Sequence, residues 1–262
     1  MSVKLTIAGS GNSSGTPSAG NFWGNCDPEN PKNRRYRPSV IVQSDTTTIV
    51  IDTGPDFRHQ MNDHNVQKID AILYTHSHGD HINGVDDLRV YRFRAKELIN
   101  VYGLDDALDE LSRRFEYLFV QKQTIYPQVL RSNVLNEQNM GKAMKIGDIE
   151  FIPFMQDHGT CRSLGFRFGN VAYCTDMVRL DDDAKSVLQG VEHWIADGAG
   201  YKMPENLVHS TFKQLYALEE EINPTNIYIT HLTQLMDYET VLKETPDNYY
   251  PAYDGLCFEI KY

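Results

Sequence analysis

With 36 acidic against 25 basic side chains among 262 residues, the chain carries a formal net charge of −11. This balance argues against sequence-independent binding of long nucleic acids, which rests on many basic phosphate contacts, while leaving room for a small phosphorylated substrate in a local basic pocket. Cys26, Cys161, Cys174 and Cys257 stand far apart without a C-x-x-C pair, no apolar run approaches the length of a membrane span, and no apolar signal segment follows Met1. The expectation is therefore a soluble, cytoplasmic chain without disulfides or a membrane partner.

From the N-terminus, residues 3–8 (VKLTIA) read as an opening strand that runs into the loop GSGNSSGTP. Gly9, Gly11 and Gly15 stand one residue out of register for a dinucleotide fingerprint, and no Lys-Ser/Thr follows, so the loop is either a tight loop beside a site or a plain turn. Residues 16–38 are irregular and end in Asn33-Arg34-Arg35-Tyr36-Arg37-Pro38, whose arginines suit either a phosphate contact or salt bridges. Strands are predicted over 39–43 and 47–52 around a Ser44-Asp45-Thr46 turn, then a helix over 56–65 and an apolar strand over 69–74.

Beyond that strand, 86–94 reads as a helix or long turn, 99–103 as a strand, and 105–119 as one amphipathic helix burying Leu108, Leu111, Phe115, Leu118 and Phe119. Residues 121–145 carry little pattern and suit an insertion, a substrate lid or a dimer contact, so a homodimer is a possible assembly. A second run of strands follows: 149–155 leading to His158, a hairpin of 165–168 and 171–175 leading to Asp176, 191–197, and 226–230 leading to His231, with a helix over 212–221. The repeated pattern is a strand with a metal-ligand residue type at its carboxyl end. It predicts two β-sheets packed face to face with helices outside, in one domain over 1–262 with no linker.

The densest chemistry lies in IDAILYTHSHGDHINGVDDLR, residues 69–89. Alternate side chains of an extended segment share a face, so His76 and His78 can converge on one cation, while a turn at Gly79 re-aims Asp80 and His81 toward a second. Imidazole and carboxylate donors suit zinc, manganese or iron rather than calcium. The plainer reading, a solvated turn, does not account for four ligand-type residues at the end of a buried strand.

This H-x-H-x-D-H stretch resembles the signature of the metallo-β-lactamase superfamily. The flanking Gly84-Val85-Asp86-Asp87-Leu88-Arg89 and Asp52-Thr53-Gly54-Pro55-Asp56-Phe57-Arg58 are similar to its PhnP-like phosphodiesterase branch. The resemblance implies an α+β fold, a four-layer αβ/βα sandwich. It also implies two divalent metal ions, Zn2+ or Mn2+ with Fe possible: His158 joins His76 and His78 at one, His231 joins Asp80 and His81 at the other, and Asp176 bridges them.

The same resemblance gives the catalytic roles to His209 and Asp80, with His209 as proton donor to the departing alkoxide, and leaves Asp52 to orient the ligand loop. His59, His64 and His193 lack a strand-end setting and read as structural or exposed. Proteins of that branch often hold a structural zinc through several cysteines in the region 16–38. Here Cys26 stands alone, so no such site is expected, and packing by Phe22, Trp23 and Tyr36 is expected in its place.

The activity implied is hydrolysis of a small or cyclic phosphodiester by a hydroxide bridging two metal ions. Two rivals stand beside it: an RNA 3′-processing nuclease of the same superfamily, and a non-catalytic, cofactor-handling metal protein.

Overall fold

The computed structural model describes residues 2–121 and 126–262. The first half supplies β1 (Val3–Gly9), β2 (Ser39–Gln43), β3 (Thr48–Ile51), β4 (Ala71–Leu73), β5 (Ile99–Gly103) and β6 (Leu130–Val134). The second supplies β7 (Met144–Ile146), β8 (Ile149–Asp157), β9 (Arg162–Phe168), β10 (Val171–Cys174), β11 (His193–Asp197), β12 (Asn226–Thr230) and β13 (Tyr249–Pro251), and β14 (Cys257–Ile260) returns to the first. Among the described residues these form two seven-stranded sheets, ordered β14-β1-β2-β3-β4-β5-β6 and β13-β12-β11-β10-β9-β8-β7.

Period-two alternation sorts the strand side chains into layers. Leu5, Ile7, Val40, Val42, Ile49, Ile51 and Leu73 face Phe151, Phe166, Phe168, Tyr173 and Ile195 of the other sheet. Their neighbours Ile41, Val50, Ile72 and Val101 face outward, where α1 (Phe57–Asp63), α3 (Leu88–Ala95) and α4 (Asp105–Arg114) cover them with Phe57, Met61, Leu88, Leu108 and Leu111. On the opposite outer face Ala172, Cys174, Trp194, Ile227 and Ile229 lie under α6 (Asp182–Leu188), α7 (Phe212–Ile222) and α8 (Tyr238–Glu244). The result is the expected α+β sandwich of four layers, αβ/βα.

Several elements depart from the sequence reading. The helix predicted over 105–119 breaks at Phe115 (φ −124°, ψ 40°) into α4 and the single turn α5 (Glu116–Phe119). The poorly patterned stretch 121–145 contains β6 and the start of β7, edge strands of the two sheets; residues 122–125 within it lie outside the described residues. The helix or long turn expected over 86–94 is present, as a single 3₁₀ turn (Val85–Asp87) followed by α3. No helix among the described residues is long and apolar enough to cross a membrane.

Candidate metal centre

Five strands, β3, β4, β8, β10 and β12, release ligand-type side chains from their carboxyl ends at one edge of the sandwich. After β4 the chain runs through Tyr74 and Thr75 to His76 and His78, and the one-turn helix α2 (Gly79–Ile82) presents Asp80 and His81. Asp52, at the end of β3, organises this segment. One carboxylate oxygen accepts the Thr75 N–H at 2.8 Å; the other accepts the Thr75 hydroxyl at 2.8 Å and stands 2.7 Å from Nδ1 of His81. With Nδ1 held there, His81 turns Nε2 into the cluster. Gly54 permits the close approach, since a Cβ at that position would lie 2.1 Å from the Asp80 carbonyl oxygen.

His158 follows β8, and its Nδ1 donates to the Val208 carbonyl at 2.6 Å, leaving Nε2 3.3 Å from Nδ1 of His78. Asp176 follows β10 and divides its oxygens: Oδ1 lies 3.4 Å from Nε2 of His158, and Oδ2 lies 3.1 Å from Nε2 of His81 and 3.3 Å from Nδ1 of His231. His231 follows β12. Asp52, Asp176 and His231 all leave their strands with left-handed backbones, φ 62°, 51° and 58°. Such conformations in non-glycine residues cluster where a site over-determines them.

The structure thus brings together His76, His78, Asp80, His81, His158, Asp176 and His231. Their donor atoms fall into overlapping groups, His76-His78-His158, His76-His81-Asp176 and Asp80-His81-His231, each with its atoms within 4.8 Å of one another. Nε2 of His76 is buried without a hydrogen-bond partner, and Nε2 of His81 has only carboxylate oxygens, of Asp176 at 3.1 Å and Asp80 at 3.2 Å, near it. Buried imidazole nitrogens rarely go unsatisfied, so the donor set fits a divalent cation.

Electrostatics agree. Burial, with His81 beside it, holds His76 well below the usual imidazole range, neutral and ready to ligate. Burial penalises the charges of Asp80 and Asp176, yet the surrounding imidazoles outweigh it and keep both carboxyls below their usual range. Burial also opposes a charge on His81, but Asp80, Asp176 and Asp52 raise it well above a free imidazole. A proton there in the metal-free protein occupies the position that a cation takes on binding.

His209 lies on the loop before α7 with its side chain 19% exposed, its ring 4.8 Å from that of His231 and 5.3 Å from that of His158. Nδ1 is 2.8 Å from Oδ2 of Asp197, whose carboxylate also accepts the N–H groups of Met177 and Ala199. Gly159 (φ 82°) lets this loop press against the His158 turn, where a Cβ would lie 1.9 Å from the Leu207 carbonyl oxygen. Asp197 escaped the sequence reading except as a strand end. Its signal was the same as that of Asp52 and Asp176, a carboxylate closing an apolar strand.

Other residues fall outside the cluster. His59 is exposed and stacks on Tyr36, His64 caps α1, and His193 packs beside Tyr228 and Phe258. The three arginines separate: Arg34 lies over the Trp23 ring, Arg37 forms a bidentate pair with Asp56, and Arg35 is buried among main-chain carbonyls, where it does not face a substrate. The packing expected of Phe22 is corrected as well. Phe22 is 61% exposed, and the Cys26 region is held by polar bonds, with Asn33 donating to Asp237 at 2.6 Å and the Cys26 thiol 3.4 Å from the Gln234 carbonyl.

The sequence profile of the beta-lactamase superfamily domain matches residues 47–232, and the chain belongs to this superfamily of metal-binding hydrolases. Within it, a solved diphosphatase of the PhnP family shares 31% identity at a TM-score of 0.86, covering 99% of this chain and 98% of that one, which places the chain in the PhnP family. An octanoyltransferase of Porphyromonas gingivalis is 29% identical over 258 residues, 97% of this chain and 51% of its own. A ribonuclease Z of a Bradyrhizobium species is 25% identical over 142 residues, 53% of this chain and 46% of its own. The chain therefore spans about half the length of the curated relatives it matches.

Proposed function

We propose that this chain is a dinuclear metal-dependent phosphodiesterase acting on small phosphodiesters, cyclic ones among them. The observation that carries the reading is the division of the Asp176 oxygens, one toward His158 and the other toward His81 and His231, which sets a bridging carboxylate between two donor groups. His76, His78 and His158 would hold one divalent ion, and Asp80, His81 and His231 the other. Such a pair, when bound, supplies acidified water and neutralises phosphoryl oxygens.

The chain's own residues complete the reaction. Asp197 fixes Nδ1 of His209 beside the cluster, which leaves Nε2 as the nitrogen that can give up a proton. Burial works against a charge on this imidazole, but in the metal-free chain Asp197, Asp176 and Asp80 raise its pKa to about 9, and Asp197, outside the ligand set, keeps favouring the protonated form when ions are bound. The departing alkoxide takes that proton from Nε2 as the phosphorus–oxygen bond breaks. The PhnP-family relative, described as a diphosphatase, supports including substrates in which two phosphates are bridged.

A nuclease reading has one observation in its favour, the local match to a ribonuclease Z, and the −11 charge against it. The octanoyltransferase relative is about twice as long as this chain, and its activity is a competitor for the same assay. Purified protein reconstituted separately with zinc and manganese should hydrolyse bis-nitrophenyl phosphate and a ribose cyclic phosphate or dinucleoside diphosphate. Cleavage of precursor tRNA alone, or of an octanoyl thioester with no phosphodiester turnover, would sink the reading.

A further inference from the structure

His231 leaves β12 with φ 58°, in the left-handed region, and its surroundings hold the turn that follows it. Those surroundings are a clamp between residues 10–37 and the turn 232–237. Leu232 N–H donates to the Ser10 carbonyl at 2.9 Å, Asn12 N–H to the Leu232 carbonyl at 3.1 Å, and Asn25 N–H to the Gln234 carbonyl at 2.8 Å. At its centre is Arg35, 2% exposed. Its Nη2 donates to the Met236 carbonyl at 2.8 Å and to Oδ1 of Asn33 at 3.0 Å, Nη1 to the Thr233 carbonyl at 3.4 Å, and Nε to the Lys32 carbonyl at 3.3 Å.

Among the described residues no carboxylate forms an ion pair with this guanidinium. Burying a cation against carbonyls is costly, and a lysine, with one nitrogen, cannot reach both sides of the clamp in the way the planar fork does. The arrangement ties Thr233 and Met236, on the turn that follows the ligand-type residue His231, to a residue 198 and 201 positions earlier in the chain. His76, His78 and His158 stand on the turns after β4 and β8, outside the clamp.

We propose that Arg35 is a positioning residue for the metal centre: it fixes the turn 232–236 so that the His231 ring stays against Asp176 and Asp80. The inference rests on the two-ion reading above. It requires that loss of Arg35 weaken the ion held by Asp80, His81 and His231 and spare the ion held by His76, His78 and His158.

The test measures metal content and visible absorption of the full chain, metal-free and then titrated with Co2+ and, in parallel, Zn2+. The variants are wild type, Arg35→Met, Arg35→Lys and His231→Ala, with circular dichroism to check the fold. Wild type should take two ions. Folded Arg35→Met should take one tightly and the second at least tenfold more weakly, with the absorption of the one-ion His231→Ala protein, and Arg35→Lys should recover part of the second site. Folded Arg35→Met that binds both ions as wild type does overturns the inference. Wild type that takes fewer than two ions overturns the two-ion reading instead.

Should Arg35→Met fail to fold, hydrogen exchange on the metal-free wild type decides. The Leu232 and Met236 amides must be protected before metal is added, because the clamp and not the ion holds this turn. Fast exchange that slows only on adding Zn2+ overturns it.

Discussion

His209 shows how much a single side chain takes from its neighbours. Asp197 occupies Nδ1 at 2.8 Å and raises the imidazole, with Asp176 and Asp80, to a pKa of about 9 against the desolvation of its partly buried ring. If it serves as the acid, His209→Ala should lower kcat by roughly 10²–10⁴ for alkyl leaving groups and hardly at all for nitrophenolate, which leaves without a proton. An acid is active when protonated, so activity should fall as pH rises through its pKa. Replacing Asp197 with Asn removes the nearest charge, and the alkaline limb of the kcat/KM profile should move to lower pH; a limb that stays in place refutes the coupling. The ligand types at His76 through His81 were legible because four fall within six positions. Asp197 was not, since nothing in a strand-end aspartate says which histidine twelve positions later will lie beside it. The arginines were equally mute: Arg34, Arg35 and Arg37 look alike in sequence, and burial alone separates the stacked, the buried and the paired one.

At the scale of elements, the site is a row of strand ends, and what holds them in register is partly non-local. β14 pairs with β1 antiparallel, Val3 opposite Ile260, across nearly the whole chain, and no hydrophobic pattern announces such a pairing. The sequence reading stopped at His231 and missed α8, β13 and β14, while the strands leading to His158, Asp176 and His231 were plain from their apolar runs. Between β13 and β14 stands half-buried Asp254, whose oxygens accept Ser10 N–H at 2.8 Å, the Ser10 hydroxyl at 2.7 Å and Tyr36 N–H at 2.6 Å. Burial outweighs these bonds and raises its pKa from 3.8 to about 7. A carboxyl that holds its proton more tightly folded than unfolded adds stability at low pH and loses it as pH rises through that window. Asp254→Asn offers one acceptor oxygen where three donors converge, so it should cost about 1–3 kcal/mol by urea unfolding at pH near 7. The variant should also lack the decline in stability that Asp254 contributes between about pH 4 and pH 7; an unchanged pH profile would show that the loop does not depend on this carboxyl.

For the whole molecule, the consequence is that both sheets meet in one cluster. Asp52 and the segment from His76 to His81 come from the first sheet, and His158, Asp176 and His231 from the second, so a cation bound among them joins the two layers across the edge of the core. The metal-free cluster gathers Asp52, Asp80 and Asp176 around His81, whose imidazole they raise well above a free one, with His209, also raised, 4.0 Å from Asp176, within a chain of net charge −11. Cation binding relieves that repulsion and displaces the His81 proton, so affinity should weaken as pH falls and each binding event should release protons. Calorimetry in two buffers of different ionisation enthalpy measures that release. Because the folded state alone assembles the donors, free metal at a hundred times its Kd should add about 2.7 kcal/mol of stability. For a chain of this size that corresponds to a rise in Tm on the order of 5–10 °C. Chelation should reverse the rise and should loosen both sheets together, since neither contributes a complete donor set alone. A chelator that leaves Tm unchanged, or that destabilises one sheet's amides in hydrogen exchange while sparing the other's, would mean that the cluster does not couple the layers.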